Sequence, residues 1–292
     1  MRVVIPKRMS GIKPDPQSNR VRVKRGSGFM PDSAGWVLLL GVLLLSASPV
    51  AAATPDHGLF TDVLQDHVEQ GRVDYAALAE YERFEKYLAQ LATTDPDALP
   101  TDADRLALWL NAYNAYTLKL VADAYPIDSI HKLATGGMII GWLIKRTAWD
   151  IRFAEVGGET YTLNEIEHDI IRPQFGDARI HFAVVCAAVS CPLLRSEAYE
   201  PTQLEEQLNE EGRRFLADSS RNTFDLVNRR ARISKIFDWF EEDFGNNDAE
   251  VIRYLAPFAP VGVADDMARH ADKWTISYQP YDWSLNDQRD GD

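Results

Sequence analysis

The stretch that most constrains how this chain can fold is "RLALWLNAYNAYTLKLVADA", Arg105 to Ala124. It is apolar nearly all round, and a helix with no polar face must be covered on every side. The rest of the chain therefore has to be built around it as a buried central helix. Two polar side chains go in with it. Asn111 and Asn114 lie about one turn apart and share a face with Ala107 and Leu118. Buried carboxamides must find partners. They could orient a catalytic histidine, donate to an oxyanion, or tie loop carbonyls to the core.

Around this helix the pattern mixes helices and strands without regular alternation. Phe60 to His67 and Tyr75 to Ala92 read as helices, and the Pro- and Asp-rich stretch at 93–104 separates them from the central one. "AWDIRFAEVGGETYTLNEI" reads as two short strands joined at Gly157-Gly158, running into a helix from Leu163 to Ile171 that Pro173 ends. Ile180 to Cys186 reads as an interior strand, Pro201 to Asp218 as an amphipathic helix and "TFDLVNRRARIS" as a hairpin. Helices follow at 238–244 and 249–258, and a last strand at 274–278. The expected class is α+β, with mixed helices around a small, largely antiparallel sheet in a single domain over 54–292.

The first 53 residues have a different character. Basic "RVRVKRG" precedes an apolar run and then Ala51-Ala52-Ala53, the layout of a secretory signal with cleavage after Ala53. The clean apolar stretch, Trp36 to Leu45, is about half the roughly 20 residues that a membrane span needs. A retained inner-membrane anchor over 36–53 is the alternative to a periplasmic or secreted protein. This segment carries eight Lys and Arg against two Asp, a net +6 out of the whole-chain −13, which leaves the remainder near −19. So acidic a body repels nucleic acid and anionic lipid. Neither nucleic-acid binding nor stable membrane insertion is expected of the mature domain, and nothing in the sequence implies a cofactor.

The helix after the Gly-Gly turn carries the strongest chemical signal. Thr162 and Glu165 fit a capping box, but Glu167 falls in the middle of the face that Leu163, Ile166 and Ile170 define, with His168 at its edge. A buried carboxylate must be paired or neutralised. It marks either a core ion pair or a functional site. The only two cysteines, Cys186 and Cys191, follow in "RIHFAVVCAAVSCPLLR", with His181 five residues before Cys186. If 180–186 is a strand, alternation turns His181 away from Cys186, so a basic partner for the thiol has to come from elsewhere. His168, next to Glu167, is the candidate.

Five segments, "LWLNAYNAYTLKL", "LNEIEHDIIRP", "ARIHFAVVCAAVSCPLLRSEAY", "ISKIFDWFEEDFG" and "YDWSLN", occur in this order between Leu106 and Asn286. Together they resemble the DUF547 family, a domain of unknown function found in bacteria, nematodes and plants. The resemblance implies no reaction. It does imply that Glu167, His168, Asn111, Asn114, Cys186 and Lys235 match the shared pattern, whereas Cys191 and His181 match only the bacterial version.

Three readings of the thiols follow. In the first, a hydrolase or acyltransferase uses Cys186 as nucleophile, His168 as base, Glu167 or Asn111 to orient it and Asn114 as a polar stabiliser, acting on a small or peptide-like substrate. In the second, a Cys186–Cys191 disulfide locks a loop of a non-catalytic ligand- or partner-binding module; a turn can bring the two Cα atoms within about 4.4–6.8 Å. In the third, His168, His181, Cys186 and Cys191 hold a metal, but a lone Cys-x4-Cys is a weak signature for one. The aromatic run "FDWFEEDF" reads as core packing with an acidic outer face, and Trp283 as a C-terminal tether.

Overall fold

The computed structural model describes residues 55–133 and 147–291, so the expected signal segment lies outside the described residues. Helix α1 (His57–His67) leads through a two-stranded ribbon, β1 (Val68–Glu69) and β2 (Arg72–Val73), into α2 (Tyr75–Leu78) and α3 (Glu82–Thr93). The single helix expected over 75–92 is thus two. Asp74 caps the first, and Tyr81 then takes an extended conformation that lets its hydroxyl reach Asp66.

The central helix α4 (Asp102–Ala122) starts earlier than its apolar pattern suggests, because Thr101 and Asp104 cap each other's backbone in a reciprocal box. Every residue from Leu106 to Leu118 is buried. Among the described residues no helix is long and apolar enough to cross a membrane; α4 is wrapped by protein instead.

A second hairpin, β3 (Ala154–Val156) and β4 (Glu159–Tyr161), turns through Gly157 and Gly158 as expected. The helix that follows holds the expected capping box, with Glu165 N–H donating to Thr162 Oγ1 at 2.9 Å and Thr162 N–H to Glu165 Oε2 at 2.8 Å. It then widens into a π-helical segment, Glu165–Ile171, in which Arg172 N–H bonds Glu167 C=O, five residues back. Pro173 does not end the helix. It occupies the first turn of α5 (Arg172–Phe175), where its missing N–H is harmless, and Gly176 at φ 60° closes the helix instead.

The expected strand at 180–186 is a helical turn, α6 (Ile180–Ala183), followed by extended chain from Val184. Asp177 starts the turn by accepting from Arg179 N–H, and Val184 N–H closes it on Ile180 C=O. A short apolar run does not by itself distinguish a buried strand from a buried helix. Next come the amphipathic α7 (Leu204–Ala217) and the three-stranded sheet of β5 (Thr223–Asp225), β6 (Arg230–Ile233) and β7 (Thr275–Tyr278). In that sheet β5–β6 is antiparallel and β6–β7 parallel. Four short helices, α8 (Ile236–Trp239), α9 (Glu241–Phe244), α10 (Asp248–Leu255) and α11 (Ala264–His270), fill the interval between β6 and β7.

The compact unit Ala51–Asp292 is α+β, with small, largely antiparallel sheets. Its interior holds two apolar clusters. One surrounds α4; the other joins α7, β6 and the helices after it. Helix α6 is the seam between them, because Ile180 and Ala183 pack into the first cluster and Phe182 into the second. His181 therefore enters the interior where the two clusters meet.

Candidate functional site

The site grows from three segments that converge at this seam. The π-helical segment supplies Glu167, which is buried as its helical position implies, and His168 at its half-exposed edge. Helix α6 supplies His181, and α9 supplies Asp243. His181 Nε2 lies 2.6 Å from Asp243 Oδ2, while its Nδ1 faces Glu167 Oε1 at 4.0 Å, so each ring nitrogen looks at a carboxylate. Arg172 closes the group. Its Nε and Nη2 donate to the two Asp243 oxygens at 2.7 and 2.9 Å, and its Nη1 donates to His168 Nδ1 at 3.0 Å. Phe240 covers the cluster, stacked on His181 at 4.1 Å between ring centroids and on His168 at 6.1 Å.

Electrostatics explain why so many polar groups are tolerated here. Burial would raise the Asp243 carboxyl, but hydrogen bonds from His181 and Arg172, with their charges, outweigh it and hold it well below the usual carboxylate range. Tyr113 of α4 lies against Glu167 and Trp149; burial, reinforced by the Glu167 charge, pushes its phenol well up. It stays a neutral hydrogen-bonding group beside a carboxylate.

The two cysteines are bonded to each other, with Cα atoms 6.1 Å apart. Ala187, at φ 55°, begins the tight turn between them. Cys186 N–H donates to Cys191 Sγ at 2.9 Å, and the Tyr281 hydroxyl lies 3.2 Å from Cys186 Sγ and 3.3 Å from Cys191 Sγ. The bridged loop grips the C-terminal segment. Val189 N–H donates to Ser284 C=O, Ser190 N–H to Asp282 C=O, and Asp282 N–H to Ser190 Oγ. Arg221 ties the loop from the other side through the carbonyls of Cys191 and Val189. Trp283 anchors that C-terminal segment, as expected, within a half-buried aromatic group of Trp149, Trp239, Tyr281 and Trp283, whose neighbouring ring centroids are 4.5–6.0 Å apart. His131 completes it, 4.2 Å from Trp283.

The other expected site residues are placed as follows. Asn111 exchanges two hydrogen bonds with the Tyr199 backbone, both at 2.8 Å. Asn114 donates to Ala183 C=O at 2.9 Å and accepts from Val185 N–H at 3.0 Å, which fixes the chain just before Cys186. Lys235 pairs with Asp238 and lies over the Tyr278 ring, so it does not join the Glu167–His181 group. His168 meets Arg172 and Phe240 and not Cys186. His181 meets Asp243 and Glu167 rather than Cys186 and stands between those two carboxylates. Among the described residues no three His, Cys, Asp or Glu converge on a point where a metal ion could be held.

Sequence reasoning missed Arg172, Asp243 and Tyr281. Asp243 was hidden in an acidic run that reads as a solvated face, and only a buried cation facing it could have marked it out. Tyr281 opens "YDWSLN", where the Trp drew attention to anchoring alone.

The bridge closes a short loop, so opening it returns about 2 kcal/mol of chain entropy to the unfolded state. The Cys186→Ser/Cys191→Ser double variant is expected to lose that much in urea unfolding with an unchanged slope. A loss under about 0.5 kcal/mol would mean that the backbone and Arg221 bonds hold the loop without the bridge.

The family model described as "Protein of unknown function, DUF547" matches residues 96–216, a span that includes α4, the π-helical segment, His181 and both cysteines. Asp243, Tyr281 and Trp283 lie beyond it. No curated protein and no solved structure matches the chain.

Proposed function

We propose that residues 54–292 form an exported ligand- or partner-binding domain, in which the Cys186–Cys191 disulfide locks the loop that supports the binding face. The observation that carries this reading is the bridge itself, closed beneath Tyr281 in a loop bonded to the C-terminal segment. A thiol-dependent hydrolase or acyltransferase needs a Cys186 thiolate and a base within reach. Here Cys186 is bonded to Cys191. A guanidinium can only donate, so His168 Nδ1 must accept from Arg172, which puts the neutral ring's proton on Nε2 and leaves no free lone pair there.

The binding face on this reading is the aromatic group of Trp149, Trp239, Tyr281 and Trp283. Such rings offer large, rigid contact area at low entropic cost. The ligand class is a small or peptide-like molecule with a flat apolar face. Export follows from the basic leader, the apolar run and the Ala triplet, and an oxidising compartment, periplasmic or extracellular, suits a persistent bridge. A domain held at the inner membrane by residues 36–53 would meet the same compartment.

The test compares turnover of p-nitrophenyl acetate by the wild type, Cys186→Ala and His168→Ala. All three are expected to match, at the rate of unrelated protein. A rate lost in both variants would overturn the binding reading in favour of thiol catalysis. In parallel, ligand-observed NMR with a tripeptide mixture is expected to detect contacts that Trp283→Ala removes.

A further inference from the structure

We infer that the Cys186–Cys191 bridge is a site of thiol–disulfide exchange for small-molecule thiols, with Cys186 the sulfur attacked and Cys191 the sulfur that departs. This inference rests on the reading in which the bridge is formed, and it adds that the lock can be opened from the native state.

The two sulfurs differ in access. Cys186 is partly exposed, whereas Cys191 is 2% exposed. They differ as well in how they would hold charge. In exchange the attacked sulfur is the accessible one, and the reaction is faster when the other sulfur leaves as a stabilised thiolate. Cys191 Sγ already receives the Cys186 amide at 2.9 Å, a group that stays in place after cleavage because it belongs to the backbone. The Tyr281 hydroxyl, now shared between the sulfurs at 3.2 and 3.3 Å, is free to turn wholly to Cys191 once negative charge appears there. Burial raises the Tyr281 phenol far above its usual value, so it remains a donor. Arg221, itself paired with Asp218, holds the Cys191 carbonyl at 2.8 Å and so fixes the backbone that carries the departing sulfur. An amide and a phenol therefore converge on the Cys191 end of the bridge.

The chemistry balances with one named co-reactant. The thiolate of the incoming thiol attacks Cys186 Sγ and forms a mixed disulfide, while the Sγ–Sγ bond breaks and its electron pair leaves on Cys191. A second thiol then attacks the mixed disulfide through its non-protein sulfur. It departs as the oxidised small-molecule disulfide and frees Cys186. Two thiols are oxidised, the bridge is reduced by two electrons, and the two thiol protons end on the two cysteines.

The experiment incubates the purified oxidised chain with millimolar reduced glutathione under native conditions, quenches with acid at intervals and maps the adduct by peptide mass. The expected result is a transient glutathione adduct on Cys186, with Tyr281→Phe slowing its appearance about tenfold at an unchanged position. An adduct on Cys191, or a bridge reduced no faster than the protein unfolds, would overturn the inference. Should Tyr281→Phe fail to fold, the position of the adduct in the wild type still decides. A chain that carries two free thiols before any treatment defeats the binding-domain reading itself, which separates that failure from this one.

Discussion

Replacing Asn114 by alanine is expected to destabilise the protein by about 3 kcal/mol, the combined penalty of two buried backbone groups left without partners. The side chain is 1% exposed and holds both sides of one turn of chain, donating to Ala183 C=O and accepting from Val185 N–H. Among the described residues no strand pairs with Ala183 to Val185, so Asn114 does for this segment what a sheet ladder would do elsewhere. Urea unfolding reads the loss directly. Asn114→Asp, which would bury an unpaired carboxylate against the Ala183 carbonyl oxygen, should cost at least as much at neutral pH. A loss under about 1 kcal/mol in Asn114→Ala would mean that water or a shifted backbone satisfies the freed groups.

Asp243→Asn is expected to cost about 2–3 kcal/mol, less than the loss of a fully buried pair because the Asp243 side chain is 24% exposed. The amide offers Arg172 no charge, and its NH2 is set against a guanidinium or an imidazole that also donates. The pH dependence carries the same information. A carboxyl whose folded pKa is depressed adds stability that is complete above its unfolded value of about 3.9 and disappears as pH falls toward the lower folded value. The wild type should therefore lose stability below about pH 4 more steeply than Asp243→Asn does. Parallel acid limbs would contradict the depressed Asp243 described above.

Much of the architecture was legible from local pattern, although the helix expected over 75–92 is broken at Tyr81. The all-apolar helix, the capping box at Thr162 and Glu165, the Gly-Gly hairpin, α7 and the β5–β6 hairpin are local patterns with local physics, and each is found where the sequence puts it. What failed was short or depended on tertiary contact. Ile180 to Cys186 is too brief for its period to be read, and the backbone groups that made a strand plausible are satisfied by Asn114 instead. His181 does meet partners other than Cys186, as expected, but alternation gave no sign that these are Asp243 and Glu167. Glu167 was found because a charge on an apolar face violates a local rule. Asp243 violates none, and its partners are 62 and 71 residues away in sequence. The pairing of the cysteines fell between these cases: spacing allowed it, and only the turn through Ala187 brings it about.

The most direct test is a count of free thiols in the native protein. The chain, produced with export and purified without reductant, is treated with iodoacetamide and weighed intact, then treated again after denaturation and reduction. A closed Cys186–Cys191 bridge predicts no addition in the first step and two in the second. One addition on Cys186 in the first step, lost in His168→Ala, would contradict the locked binding domain and restore a thiol nucleophile.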